Sequence, residues 1–335
     1  MKKLINYTLL TILFIGLFAC NKNSRFSVDT TNAKQIKINR FDIDFLNLDT
    51  AKLDFEISKL IKKYPDFTNI YIADIMGVDP NDSLKTKEFI YKFLTDKTFS
   101  SVNKKSLQTF KDISSIEKTI SESYCRINYF YPNIKLPEIY FFVSGFNRSI
   151  IIENNIIGIG TDLYLGSDYV KYKDFTYDYL IANMQYSSVA PDIISSILFS
   201  NFTADLTQNR LIDNMLYRGK IMYMLSVIMP DEMPNTLMGY TKMQWEWSRK
   251  YEKEIWNAIV DQKHLFSTDF MLIRKYMNDA PFTNPISQES PGRLGTWIGW
   301  QIIDSYMQNN KNLTIQELIK DNDYSKILEK SNYKP

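Results

Sequence analysis

The sequence predicts an α+β domain, mostly helical, with one small and mainly antiparallel sheet. Two observations carry that reading. Apolar residues recur at three-to-four spacing over most of the chain, as at Leu53, Ile57, Leu60 and Ile61, which places them on one helical face. The pattern gives way only between Pro137 and Asp162, where β-branched and aromatic residues run together without helix formers. With 335 residues, 44% hydrophobic and 14% aromatic, the chain can bury a large core and is no disordered tail.

Taken in order, residues 20–34 are polar and read as a flexible tether, and residues 35–335 as a single domain. Ile36 to Leu46 looks like a short strand leading into a helix. Tyr64-Pro65 closes the helix after it, and Gly77 to Asp82 is a turn. Leu84 to Phe99 and Leu107 to Tyr129 carry further apolar stripes. Three runs, Glu138 to Val143, Ser149 to Ile152 and Ile156 to Asp162, are joined by tight turns and predict a meander covered on both faces. From Tyr177 the chain is helical again: Tyr177 to Gln185, a stretch that Pro191 interrupts or restarts before Ile193 to Phe199, Leu211 to Ile228, Trp245 to Val260, Thr296 to Met307 and Thr314 to Ile319.

The N-terminus sets the address. Lys2 and Lys3 precede an apolar run from Leu9 to Phe18, too short to span a membrane, so residues 1–19 read as a signal peptide. Leu17-Phe18-Ala19-Cys20 at its end resembles the bacterial lipobox, which implies cleavage before Cys20 and acylation of that cysteine. Acyl chains anchor the mature chain, palmitate among them. Asn21 to Ser24 holds no acidic residue, which favours a domain facing the periplasm; inner and outer membrane remain equal options. The full chain has 40 basic and 38 acidic residues. Loss of Lys2 and Lys3 leaves 38 of each, a net charge of zero, and nothing in that balance suits nucleic acid.

Chemistry is sparse. Zinc peptidases of the His-Glu-x-x-His type need two imidazoles one turn apart, and His264 is the only histidine, so no metal and no cofactor is expected. Gly-x-Ser-x-Gly is absent, and Gly158-x-Gly160 lacks the context of a dinucleotide fingerprint. Asp79 to Asp82 reads as an ordinary turn, Cys125 as a small buried hydrophobe, and Glu246, Glu252 and Glu254 as a solvated helix face. Trp245, Trp256, Trp297 and Trp300 fall at helix-stripe spacing, which favours core packing over sugar stacking. Gly292, Gly295 and Gly299 allow close backbone approach. Tight helix packing explains them better than an anion held beside Arg293.

Ser290-Pro291-Gly292-Arg293-Leu294-Gly295-Thr296-Trp297-Ile298-Gly299-Trp300-Gln301-Ile302, together with Asp279-Ala280-Pro281-Phe282-Thr283 and Tyr217-Arg218-Gly219-Lys220, resembles the GldB family of gliding-motility lipoproteins of Bacteroidetes. Asn39-Arg40-Phe41-Asp42 and Tyr64-Pro65-Asp66-Phe67 extend the resemblance over nearly the whole chain. It implies an envelope-anchored accessory of gliding and its secretion machinery, with envelope proteins as partners and no catalytic activity. A second resemblance, to predicted zincin-like peptidases, implies a degenerate zincin scaffold. Tyr177 to Ser188 has neither His nor Glu, and Arg218 stands where a ligating Glu would be. On that alignment Tyr217, Arg218, Lys220, Arg293 and Trp297 would share a contact cleft. Glycan binding through exposed aromatics, or hydrolysis by an unrecognised carboxylate pair, are the alternatives.

Overall fold

The computed structural model describes residues 24–204, 206 and 208–335; the signal segment with Leu17, Ala19 and Cys20 lies outside them. The architecture is α+β, mostly helical, around one three-stranded sheet. Among the described residues no helix is long and apolar enough to cross a membrane.

The front half supplies six helices: α1 (Phe41–Leu46), α2 (Leu53–Lys63), α3 (Pro65–Ile70), α4 (Ser83–Thr95), α5 (Lys97–Thr109) and α6 (Ser114–Phe130). Pro65 opens α3 at a position where its missing N–H costs nothing. The apolar stripe expected from Leu84 to Phe99 is two helices, because Asp96 leaves helical geometry. Its carboxylate accepts from the Thr98 and Phe99 amides and so caps α5. Asp79 to Asp82 is the expected turn, Asp82 capping α4 through the Lys85 amide.

Strands β1 (Glu138–Phe142), β2 (Ile150–Glu153) and β3 (Ile156–Gly160) do not form a meander. Their order is β1-β3-β2, with β1 parallel to β3 and β2 antiparallel to it. The sheet is therefore mixed. Asn154, in the left-handed region at φ 51°, takes the tight turn into β3, a conformation that Asn tolerates. The reason for the crossover lies after β1. The buried Asp162 carboxylate accepts from the Ser144 and Phe146 amides at 3.0 and 2.7 Å, and this swings the chain across the end of β3. The crossing is so close that a Cβ on Gly160 would meet the Arg148 carbonyl oxygen at 2.2 Å. Asn39 pairs with Tyr140 and covers the outer edge of β1.

Alternation along β1 splits two cores. Ile139 and Phe141 face the larger one, whereas Tyr140 and Phe142 face an aromatic cluster built on α1 to α4. There Phe41 lies 5.0 Å from both Phe67 and Tyr71, and Phe67 stacks on Tyr140 at 4.3 Å. Both faces of the sheet are covered.

The back half continues with α7 (Asp178–Ile181), α8 (Val189–Asn201), α9 (Leu211–Ile228), α10 (Pro234–Met238), α11 (Lys242–Lys250), α12 (Glu252–Asp261), α13 (Phe270–Met277), α14 (Leu294–Asn309), α15 (Ile315–Lys320) and α16 (Tyr324–Ser331). Of the two roles expected for Pro191, the restart is the one it takes: it falls in the first turn of α8, where no amide is owed to the helix. The stripe from Trp245 to Val260 breaks at Tyr251 into α11 and α12. Helices α9 and α14 form the central pair and touch through glycine: a Cβ on Gly219 would sit 2.3 Å from the Gly299 carbonyl oxygen, and one on Gly299 1.9 Å from that of Met215. The glycines are packing residues. Trp297 is fully buried and Trp245 meets it edge-on at 6.2 Å, so these indoles serve the core.

Residues 24–34 are docked rather than free. Phe26 packs edge-on against Phe130 at 6.2 Å, and Arg25 donates to the carbonyls of Met307 and Leu313. Apolar Phe26 and Val28 gain contact with the larger core that a wholly polar tether would lack. Cys125 is half-buried, its Sγ 4.0 Å from the Asp29 carbonyl oxygen, and not the fully buried hydrophobe expected.

Candidate functional site

The carboxyl ends of the two parallel strands, β1 and β3, lead into a cavity of about 450 Å³. Its wall combines the loop after β1 (Phe146, Asn147), the segment after β3 (Leu163, Tyr164), the stretch around α7, Asp192 from α8, and Asp279 with Arg293 ahead of α14. Two wall residues hold left-handed backbone without being glycine, Phe146 at φ 66° and Arg293 at φ 58°. Such conformations persist only where surrounding contacts enforce them, and they concentrate at ligand sites.

The enforcing contacts are visible. Asp162 holds Phe146 through the amide bond that diverts β2. Burial raises the Asp162 carboxyl above its usual range, against the opposing pull of the Phe146 and Ser144 donors. The Tyr172 hydroxyl donates to the Asp162 carbonyl and accepts from the Leu165 amide, which fixes the chain between β3 and α7. Arg293 is held by an ion pair from Nε to Asp279 at 2.9 Å and by donation from Nη2 to the Met238 carbonyl at 2.6 Å. The first amide of α14, Leu294 N, donates to the Thr283 hydroxyl. Nε and Nη2 of Arg293 and the first helix amide are thus committed to protein groups, which speaks against the anion reading.

Asp192 is the reactive-looking group. It lies in the first turn of α8, and Tyr164 donates its hydroxyl to Oδ2 at 2.8 Å. Burial pushes the carboxyl up to about 6; the Tyr164 hydrogen bond and the Arg293 charge pull it down, and the Asp279 charge adds to the rise. A carboxyl ¹³C titration should show Asp192 with a midpoint near 6. Tyr164→Phe should move it higher still, because the lost hydrogen bond favours the charged form. A midpoint below 4.5 in both proteins would contradict the buried placement. Between the ordinary value of 3.8 and about 6 the folded chain keeps a proton that the unfolded chain releases, so this group's contribution to stability falls as pH rises through that window.

The five residues expected to share a cleft do not do so. Arg218 and Arg293 are neighbours: the charge on Arg293, after burial, depresses Arg218, which donates to the Met277 carbonyl at 3.0 Å. Lys220 follows Arg218 by two residues, about 200° around the helix. With Tyr217 it lines a different cavity of about 300 Å³ next to Phe202 and Tyr324. Trp297 reaches neither opening. Asp192, Tyr164 and Asn183 were missed in the sequence, although a lone acid in the apolar run Val189 to Leu198 was a visible signal.

His264 accepts or donates through Nδ1 at 3.0 Å from the Tyr276 hydroxyl. Among the described residues no group of three or more His, Cys, Asp or Glu could hold a metal ion. The zincin likeness gains no support: the meander it requires is a crossed, mixed sheet, and the segment aligned to the metal helix makes only the single turn of α7.

Fold and site together define a mostly helical α+β protein with a preformed cavity whose wall is anchored by buried polar contacts. The chain belongs to the gliding motility protein GldB family, whose profile matches residues 23–335. Membership implies a part in gliding motility, and the family's name points to the cell envelope. No curated protein and no solved structure matches it.

Proposed function

We propose that the chain is a non-catalytic accessory of the gliding machinery and its associated secretion apparatus, anchored by lipid on Cys20 and facing the periplasm, and that the 450 Å³ cavity is where it takes hold of its ligand. One observation carries this reading: the cavity's guanidinium is paired with Asp279 and bound to a backbone carbonyl, an arrangement that shapes a wall and does not offer the cation to a reacting group. Docking of Arg25 and Phe26 on the body leaves Asn21 to Asn23 between the anchor and the first docked turn, which holds the domain close to its membrane.

A second reading, hydrolysis, draws on Asp192, a carboxyl raised to about 6 with Asp279 in the same cavity. Pairs of acids with separated pKa values mark acid–base sites. Asp279 is held in an ion pair with Arg293, however, so Asp192 has no unpaired second carboxylate beside it. Asp192→Asn separates the two readings, because Asn still accepts from Tyr164 but cannot transfer a proton. Complementation of a deletion strain by Asp192→Asn should restore gliding; abolished gliding at normal protein levels would count for the hydrolase. The anchor has its own test. Metabolic labelling with a palmitate analogue should mark the wild type and not Cys20→Ala, and equal labelling of both would remove the lipid anchor from the argument.

A further inference from the structure

The chemistry of the cavity wall narrows the ligand. Ser149, Thr176, Tyr179, Asn147 and Asn183 line it, and the hydroxyls of the first three, the side-chain amide of Asn147 and Nδ2 of Asn183 have no protein hydrogen-bond partner among the described residues. Around them stand aromatic rings. Phe175 lies 4.7 Å from Phe146 and remains 48% exposed at the rim. Beside it Tyr179 stacks on Tyr177, itself 71% exposed, at 5.7 Å. Mixed donors and acceptors next to aromatic faces suit a ring that carries hydroxyls on its edge and C–H groups on its face. Arg293 is paired with Asp279, which leaves no unpaired cation in the wall for a strongly anionic ligand. The volume falls within the ~300–1,000 Å³ of small-molecule sites.

Position narrows it further. Arg293 caps the amino end of α14, whereas the docked N-terminus touches Met307 near the carboxyl end. At 1.5 Å per residue those ends lie roughly 20 Å apart. Cys20 lies four residue steps from Ser24, a reach of at most about 14 Å. A lipid on Cys20 would therefore sit nearer to the carboxyl end of α14 than to the cavity at its amino end. We infer that the cavity binds a neutral saccharide unit of an envelope glycan. This rests on the cavity being the ligand site of the gliding accessory.

The test uses the full chain extracted in a sugar-free detergent, titrated calorimetrically and by saturation-transfer NMR with diacetylchitobiose, maltotriose and cellotriose, and with an uncharged pentapeptide of similar size. At least one sugar should bind, with saturation transferred to its ring protons. Phe175→Ala and Tyr179→Ala should each weaken that binding tenfold or more at unchanged melting temperature, while Tyr91→Ala, an exposed tyrosine on α4, should leave it intact. No sugar binding at millimolar concentration, binding of the peptide alone, or binding untouched by the two rim variants would overturn the inference. Should the rim variants abolish gliding while no sugar binds, the saccharide assignment falls and the cavity keeps its role. Loss of gliding in Asp192→Asn would instead count against the accessory reading itself.

Discussion

Gly299→Ala should destabilise the domain by at least about 3 kcal/mol, the upper range for overpacking a core. The added methyl would lie 1.9 Å from the Met215 carbonyl oxygen and 2.5 Å from its carbon. Neither is a flexible side-chain end, so the backbones of α9 and α14 must move apart. Replacing glycine within a helix normally gains about 1 kcal/mol from propensity, which the clash outweighs. Gly219→Ala should behave alike, since its Cβ would meet the Gly299 carbonyl at 2.3 Å from the other side. Because both variants force the same separation, the double variant should cost less than the two single losses added together. Urea and thermal unfolding read all three. Stability within 0.5 kcal/mol of wild type in either single variant would refute the direct helix contact.

Lys220→Met should remove a pH dependence that the wild type shows above neutrality. Lys220 is 2% exposed; its ammonium donates to the Asp321 carbonyl oxygen and lies 4.8 Å from the Tyr324 ring centroid. Burial pulls its pKa down to about 8 from 10.5, with Asp321 opposing. Between those values the unfolded chain binds a proton that the folded chain has released, so stability rises with pH. The rise, taken as the difference between wild type and Lys220→Met from pH 8 to 10, should be on the order of 2 kcal/mol. Above about 10 the buried tyrosines, whose folded values are raised, act in the opposite direction; the difference measurement cancels them. Parallel stability curves for the two proteins would mean that Lys220 reaches water in solution.

The sequence by itself determined what depends on neighbours along the chain. The run from Leu211 to Ile228 is helix α9 with those same bounds, because eighteen mostly apolar residues are too many for a strand and Met229-Pro230 stops them. The β-branched runs are strands, and Gly292, Gly295 and Gly299 approach backbone or side chains too closely for a Cβ. The signature around Arg293 and Trp297 marked the family over residues 23–335. Tertiary structure alone decided what depends on where the chain crosses itself. Nothing in the three strand sequences states that β3 lies between β1 and β2; the buried Asp162, by binding Ser144 and Phe146, sets that order. The cavity joins Tyr164, Asp192, Asp279 and Arg293, residues up to 129 positions apart, whose electrostatics exist only once burial and the Arg293–Asp279 pair are in place. Arg218 and Lys220, adjacent in the sequence but for one glycine, point apart because a helix turns 100° at each residue: Arg218 lies near Arg293 and Met277, and Lys220 lines the cavity beside Phe202. Local periodicity is a property of the chain, whereas a charged site is a property of the packing that desolvates it.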